Sequence, residues 1–502
     1  MKRLSIISLD GVNWDIIQPL LDGGKLPFLS KLMQKGSQAV LQTHSYVSSG
    51  STWPSIHTGT HPGEHGIMFS HRQLESGTYN IVKKQAEDIP FKGFWQVASK
   101  SGIPTIAIDL PKAPAVRQFN GLVLNSWGEE APWYSPSFPK DLKKEIHSKF
   151  GKHPLQEFYH RPMKDLNSWK WLKNQHVIGL KKRFEIAHYL MDQQADWQLF
   201  VMAINEMHLA GHLFWHIIDE DHPDHDPELR QEVGNIMQEL LIITDRGLAT
   251  LADRTESNQL IISNNGMDRS QAPMSVLDQV LKRLGYMHGE VNDDKNLGRN
   301  SFNVVQELEK KIPMGLVQWL KAKAPKKLWY KITRKLTYST NEWKKSRAFP
   351  VPNDVSGAIR INLRGREPHG IVDPKEYDTL CQSIIEDMNQ LTINQTDTKA
   401  IEKVIKVKDQ FNGQNSNELA DLLILWNKEK PIISVESPKI GTVKVKEDKR
   451  TGAHTDKGIF VADEMMQGLF KREGDMVHDL QIYPAVLNFF EIEPKLKINN
   501  TN

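Results

Sequence analysis

Short apolar runs alternate along the chain with longer segments in which apolar residues recur at helical spacing. The runs that predict strands are Leu4–Leu9, Thr105–Ile108, Gln198–Ala203, Leu260–Ser263 and Leu422–Leu425. Alternation of buried strands with amphipathic helices is typical of a mostly parallel sheet with helices on both faces. The pattern therefore predicts an α/β fold.

In open sheets of this kind, ligands bind beyond the C-terminal ends of the strands. Asp10 and Asp109 each follow a predicted strand, as does the pair Asn264-Asn265. The segment after Ala203 follows another. We therefore expect the ligand-binding and catalytic residues to lie at these positions.

Two stretches differ from this alternation. Residues at about 129–182 are rich in Trp, Pro, Lys and His, and residues at about 288–347 are strongly basic with helical periodicity. We predict one domain over residues 1–502 in which both stretches are helical inserts. The basic insert is either a solvated helical cap or a lid that attracts an anionic substrate or contacts a membrane surface.

Composition limits the classes of protein that fit. The 502 residues are 39% hydrophobic and 25% charged, with a formal net charge of +3 and a single cysteine, Cys381. This charge is too small to predict nucleic-acid binding, and one cysteine forms no internal disulfide. Asp10 interrupts the first apolar run, and no apolar stretch reaches the roughly 18 residues of a transmembrane helix. We expect a cytoplasmic protein, and no pattern predicts its oligomeric state.

Three histidines share one face of a predicted helix. His208, His212 and His216 recur every four residues. Two histidines at this spacing can chelate one zinc ion. The alternative is a capped helix whose partly buried histidines bond to their neighbours.

A cluster of hydroxyl residues lies about 40 positions after Asp10, in the sequence Ser48-Ser49-Gly50-Ser51-Thr52-Trp53-Pro54. A hydroxyl at a helix N-terminus can act as a nucleophile toward an anionic group, although such a cluster also serves as a simple cap. Pro54 predicts a first helical turn close to its own position.

Three segments carry a family resemblance: Asp10-Gly11, Leu26-Pro27-Phe28-Leu29, and Thr58-Gly59 followed by Pro62-Gly63-Glu64-His65-Gly66-Ile67. Together they resemble the type I phosphodiesterase and nucleotide pyrophosphatase branch of the alkaline phosphatase superfamily. The resemblance implies an alkaline-phosphatase-like three-layer sandwich and a metal-binding role for Asp10. It also implies a nucleophile nine positions before the Thr-Gly pair, which is Ser49. Thr52 is the alternative, with a spacing three residues shorter.

The same resemblance implies a set of metal ligands. The family has an Asp followed four residues later by a His, and here His208 stands in place of that Asp while Gly211-His212 match. Gly452-Ala453-His454 resembles the late segment that supplies a third ligand. His208, His212 and His454 would form a three-histidine zinc site with an open fourth position. His216 has no counterpart ligand in the family, and it is predicted either to support a ligand from behind or to be structural.

The resemblance breaks at Ser263-Asn264-Asn265-Gly266-Met267, where the family has Ser-Asp-His-Gly-Met. An amide oxygen is a weaker ligand than a carboxylate and brings no charge to balance a dication. Three outcomes stay open: one zinc ion on the three histidines with water as the nucleophile, a weak second site that uses Asp10, or loss of catalysis. Asn264 and Asn265 are then candidates for binding the substrate anion.

A further resemblance covers residues 357–368, which are similar to a segment of predicted phosphohydrolases and phosphomutases of the superfamily. Arg364 or Arg366 in this segment could bind phosphate or sulfate oxygens with the guanidinium fork. A salt bridge to Glu367 or a surface role is the alternative.

These observations predict a metal-dependent hydrolase or transferase for a small anionic ester, foremost a phosphodiester. The alternatives are a sulfatase and a non-catalytic binding or regulatory protein that retains the fold. The Ser49 cluster has no cysteine of the kind that some sulfatases modify.

Overall fold

The computed structural model describes residues 2–68, 73–82, 84–128, 136–155, 163, 165–270, 276–291, 342–445 and 450–494. These residues group into two compact units. The first unit comprises 1–67, 85–270 and 448–502, and the second comprises 68–84 and 271–447.

The strands, in chain order, are β1 (Leu4–Leu9), β2 (Ser37–Gln42), β3 (Gln73–Leu74), β4 (Ile81–Val82), β5 (Thr105–Ile108), β6 (Gly121–Leu124), β7 (Leu199–Ile204), β8 (Asn258–Ile262), β9 (Gly266–Arg269), β10 (Ala348–Pro350), β11 (Gly357–Ile361), β12 (Thr392–Ile393), β13 (Ile401–Lys406), β14 (Leu422–Trp426), β15 (Ser434–Ser437), β16 (Gly441–Lys444), β17 (Gly452–Thr455), β18 (Lys457–Ala462) and β19 (Met476–His478).

The α-helices are α1 (Trp14–Asp22), α2 (Pro27–Lys35), α3 (Ser49–Thr58), α4 (Pro62–His65), α5 (Phe94–Lys100), α6 (Leu142–Phe150), α7 (Leu166–Gln193), α8 (Glu206–Ile218), α9 (Pro227–Val233), α10 (Ile236–Asp253), α11 (Leu277–Arg283), α12 (Tyr377–Met388), α13 (Glu464–Gln467) and α14 (Ile482–Phe489). Short 3₁₀ helices cover Ala86–Asp88, Trp343–Lys345, Pro374–Glu376, Val407–Asp409, Ser416–Glu418 and Asp479–Gln481.

The first unit is built on a sheet with the strand order β19-β2-β18-β8-β1-β7-β5-β6. Neighbouring strands are parallel except at β18, which is antiparallel to both β2 and β8. At the centre, β1 lies between β7 and β8, with Leu9 opposite Ile204 and Ser8 opposite Ile262. The C-terminal ends of these three strands therefore meet at one edge of the sheet.

Helices cover both faces of this sheet because alternate residues of each strand point to opposite sides. On one face, Ile7 and Leu9 of β1 belong to a core formed largely with α1, α2, α7, α8 and α10. On the other face, Leu4 and Ile6 belong to a core that includes residues of α3, α5 and α14. The predicted three-layer arrangement with a mostly parallel central sheet is confirmed.

The second unit contains a four-stranded antiparallel sheet with the order β10-β11-β14-β13. A smaller antiparallel sheet has the order β12-β15-β16. All five predicted strands exist, with ends that differ by up to two residues for β7, β8 and β14. The sequence could not show that β14 belongs to an antiparallel sheet, because a buried strand has the same apolar run in either setting.

The described part of the 129–182 stretch includes α6 and the first part of α7, whose residues Leu142, Ile146, Leu172 and Leu180 are buried in the core of the first unit. Most of the basic 288–347 stretch lies outside the described residues. The organisation as one domain with two inserts stays a prediction. Among the described helices, none combines the length and the apolar character that crossing a bilayer requires.

Candidate metal centre

A close backbone approach places His212 and His454 side by side. Helix α8 begins after β7 and carries His208 and His212, whereas His454 lies on β17, which pairs with β9. A Cβ atom on Gly452 would stand 2.2 Å from the carbonyl oxygen of Gly211. Only glycine at position 452 lets strand β17 pack this closely against α8, which explains the glycine in the His454 motif.

The three predicted histidines converge. One ring nitrogen from each of His208, His212 and His454 lies within 4.8 Å of the others. His212 Nε2 is 3.1 Å from His454 Nε2, and the three ring centroids are 4.6 to 4.8 Å apart. His212 and His454 are each only 3% exposed, while His208 is partly exposed. The site is therefore enclosed on one side and open on the other.

The protonation of His212 follows from its partners. Its Nδ1 lies 2.7 Å from the carbonyl oxygen of Gly452, which can only accept, so Nδ1 carries the proton and Nε2 presents a lone pair. Burial lowers the pKa of His212 well below its usual value, and the neighbouring rings of His454 and His208 lower it further. His212 is therefore a neutral imidazole whose Nε2 lone pair faces His454 Nε2 at 3.1 Å.

This geometry fits a divalent transition metal. With zinc–nitrogen bonds of about 2.0–2.1 Å, two nitrogens at a tetrahedral angle stand about 3.3 Å apart. The 3.1 Å between His212 Nε2 and His454 Nε2 is close to that separation. Two buried nitrogens at this distance need a proton or a cation between them, and three imidazoles are a recognised catalytic zinc set.

Asp10 follows directly after β1 and lies beside this group. Its Oδ2 is 3.1 Å from His208 Nδ1, and Trp53 Nε1 approaches the same oxygen at 3.5 Å. Burial alone would raise the pKa of Asp10, but the charge of His208 and its hydrogen bond, together with His454 and Asn264, lower it to about 2. The carboxylate is therefore ionised.

Helix α3 presents the two candidate nucleophiles. It begins at Ser49, and the Ser48 hydroxyl caps it by accepting from the amide of Gly50 at 3.1 Å. The helix thus starts five residues before Pro54, so the prediction of a first turn at Pro54 was wrong, because the cap is made by a serine further upstream. Ser49 is 7% exposed, whereas Thr52 is fully buried.

Asn264 and Asn265 follow β8 at the same sheet edge. Both are 1% exposed, and their side-chain Oδ1 atoms are buried with no hydrogen-bond partner among the residues that the structure describes. The backbone oxygen of Asn265 accepts from the amide of Val12 at 3.1 Å, and the hydroxyl of Ser263 also donates to it. The loop is therefore fixed to the segment that follows Asp10.

The structure contains a buried ionic network that the sequence did not predict. Arg183 of α7 donates Nη1 to Asp109 Oδ2 at 2.8 Å and Nε to both oxygens of Glu206 at 2.9 and 3.0 Å. His153 Nε2 lies 3.1 Å from Glu206 Oε1. The side chains of Arg183, Asp109 and Glu206 are fully buried. Because Glu206 is the first residue of α8, the network fixes the helix that carries His208 and His212.

The charges of this network stabilise one another. Burial alone would raise the pKa of Glu206, but attraction to Arg183 and a hydrogen bond with His153 lower it to about 2. The sequence contained a weak signal for the acidic residues, since Asp109 directly follows β5 and Glu206 lies two residues after the end of β7. No sequence signal pointed to burial of Arg183, because it ends the basic run Lys181-Lys182-Arg183. Such a run is typical of a solvated helix face.

The remaining predicted residues have other partners. Arg366 donates to Asp421 at 2.7 Å and to Glu367 at 2.8 Å, which is the salt bridge kept as the alternative, and Arg364 pairs with Asp373. Both arginines belong to the second unit, and their anion-binding role stays a prediction. His216 Nδ1 lies 3.2 Å from the hydroxyl of Thr451 and is not part of the histidine group.

Comparison with protein families gives a match over residues 4–455 to the family described as type I phosphodiesterase / nucleotide pyrophosphatase. No curated protein matches the chain.

Solved structures are similar over nearly the whole chain. Phosphonoacetate hydrolase from Sinorhizobium meliloti 1021 in complex with phosphonoformate is 11% identical, covers 97% of this chain and 96% of its own, and has a TM-score of 0.50. Its complex with phosphonoacetate is 13% identical, with the same coverage and TM-score. Human ectonucleotide pyrophosphatase / phosphodiesterase 5 is 11% identical, covers 98% and 96%, and has a TM-score of 0.46. The two hydrolase structures confirm the predicted alkaline-phosphatase-like fold.

Proposed function

Since the chain belongs to the type I phosphodiesterase / nucleotide pyrophosphatase family, and is therefore a phosphoester hydrolase, we propose that it cleaves a phosphodiester with one zinc ion held by His208, His212 and His454. The observation that carries this proposal is the convergence of the three imidazoles, with His212 Nε2 and His454 Nε2 only 3.1 Å apart.

Zinc suits this donor set because imidazole nitrogens are among its preferred ligands and three of them leave a fourth position open. A zinc ion bound there would supply a Lewis acid that polarises the phosphoryl group. His212 would need no change of tautomer to bind it, since its Nδ1 already donates to the carbonyl oxygen of Gly452 and its ring is neutral.

We assign Ser49 as the nucleophile. It is the first residue of α3, where the helix dipole favours the negative charge of a phosphoryl group. Attack by Ser49 Oγ would form a bond to phosphorus and break the bond to the alcohol, which leaves with the proton. Water would then cleave the seryl ester and release a phosphate monoester. Thr52 is less suited because its hydroxyl is fully buried.

Asn264 and Asn265 take part in binding the anion in this proposal, because a neutral amide can donate to phosphoryl oxygens. They bring no charge to the sheet edge, where Asp10 is already paired with His208. The donor set therefore favours one transition-metal ion per chain.

The first test is made on the unmodified protein. We expect elemental analysis to find one zinc ion per chain and a chromogenic bis-aryl phosphate to be hydrolysed, with chelation abolishing the activity and zinc restoring it. An aryl sulfate serves as the control substrate and should react much more slowly. Protein that binds no metal and is inert toward diesters, monoesters and sulfate esters would contradict the proposal.

Restoring the residues of the family at the sheet edge should create a second metal site. The double variant Asn264→Asp/Asn265→His adds a carboxylate and an imidazole next to Asp10, so we expect the metal content to rise from one ion to two. The matched control Asn264→Ala/Asn265→Ala should keep one ion. A wild-type protein that already binds two ions would show that the amides suffice.

A further inference from the structure

Asp10 and His208 form a pair that the family pattern does not contain, since a histidine here replaces an acidic ligand. Asp10 Oδ2 stands 3.1 Å from His208 Nδ1. In this pair the Nδ1–H group of His208 donates to the carboxylate oxygen of Asp10. In a neutral imidazole this leaves the lone pair on Nε2.

His212 has the same arrangement. Its Nδ1 donates to the carbonyl oxygen of Gly452, and its Nε2 faces His454. Two of the three imidazoles are thus held by an oxygen at Nδ1. A carboxylate or carbonyl in this position fixes the tautomer and orientation of a metal-binding histidine and makes the imidazole a stronger ligand.

The backbone brings Asp10 to this position. Gly11 has a φ of 80°, and a Cβ atom there would lie 3.2 Å from the Cα atom of His208. A residue with a side chain would be strained in this conformation and would crowd α8. Asp10 itself is 4% exposed and does not belong to the histidine group within the described residues.

We propose that Asp10 is a positioning residue that acts on the metal through His208, and not a direct ligand. This inference rests on the proposed zinc site. This role differs from the metal-binding role that the resemblance implies for Asp10. In this proposal the Asp10 carboxylate holds His208 in place, and its negative charge acts on the metal through the His208 ring.

A double-mutant cycle on zinc affinity tests this role. The four proteins are the wild type, Asp10→Ala, His208→Ala and the double variant, and zinc affinity is measured by competition with a chromophoric chelator. We expect Asp10→Ala to weaken zinc binding about 10- to 100-fold in the wild-type background. In the His208→Ala background the same change should alter affinity less than about 3-fold, because the residue through which Asp10 acts is gone.

Asp10→Asn is the conservative variant. Its amide oxygen still accepts from His208 Nδ1, so we expect it to recover part of the affinity that Asp10→Ala loses. The visible spectrum of its cobalt-substituted form should keep the band pattern and intensity of the wild type, since the ligand atoms are unchanged. This spectrum decides the question if His208→Ala binds zinc too weakly to measure.

The outcomes separate the two proposals. Equal losses of affinity from Asp10→Ala in both backgrounds, or a cobalt spectrum of Asp10→Asn that indicates a lost ligand, would overturn the positioning role while leaving the zinc site intact. A wild-type protein that binds no zinc would instead overturn the proposed function. Thermal unfolding in the presence of chelator checks that each metal-free variant is folded.

Discussion

Replacement of His212 by alanine is expected to remove the bound zinc and to lower phosphodiester hydrolysis by more than about 100-fold. Mutation of a residue that only hydrogen-bonds to a metal ligand typically lowers metal affinity or activity about 10- to 100-fold. Because His212 is proposed to bind the metal itself, its loss should have a larger effect. Its Nε2 is 3.1 Å from His454 Nε2, so alanine removes one of the two buried nitrogens that are proposed to share the ion. Elemental analysis and the bis-aryl phosphate assay measure the two effects.

Two matched variants separate metal binding from the other steps. His216→Ala lies one helical turn further along α8, outside the histidine group, and should keep both zinc and most activity. Ser49→Ala should keep the zinc and lose the activity. If His212→Ala retained stoichiometric zinc, or if His216→Ala lost it equally, the three-histidine assignment would be wrong.

Replacement of Arg183 by methionine is expected to lower the free energy of unfolding by about 3–5 kcal/mol, the cost of removing one partner of a buried ion pair. The substitution leaves the carboxylates of Asp109 and Glu206 buried without their cation. Methionine retains most of the apolar volume, so the loss reports mainly on charge. Because Glu206 begins α8, we expect weaker zinc binding as well.

Arg254→Met is the control for this experiment. Arg254 also pairs with a carboxylate, that of Asp192 at 2.6 Å, but both side chains are largely exposed. An exposed pair of this kind contributes less than about 1 kcal/mol. Urea titration of the metal-free proteins, followed by tryptophan fluorescence, compares the two variants. Equal midpoints for Arg183→Met and Arg254→Met would show that the network adds no more than a surface ion pair.

Much of the architecture was predictable from local patterns. The apolar runs of β1, β5, β7 and β8 are interrupted directly after the strand by polar residues, and this fixes both the sheet and its functional edge. The spacing of His208 and His212 on one helix face was likewise readable. The late partner His454 was found through a family resemblance, because 242 residues separate it from His212.

Other features depended on contacts that no local pattern contains. Strand β18 runs antiparallel to both of its neighbours, and β14 belongs to a second sheet. Neither feature can be read from the strand sequences, because both depend on the path of the chain between the strands. Arg183 looks like part of a solvated basic run until α7 packs it between Asp109 and Glu206.

The sequence by itself determined the type of fold and the family, and it predicted the residues proposed for the chemistry, because periodicity and short motifs are properties of neighbouring positions. Only the tertiary structure decided that Asp10 pairs with His208, that Gly452 lets β17 contact α8, and that Arg183 is buried among carboxylates. Each of these depends on distances between segments far apart in the chain. Those distances are set by the packing of the whole core and not by any one segment of it.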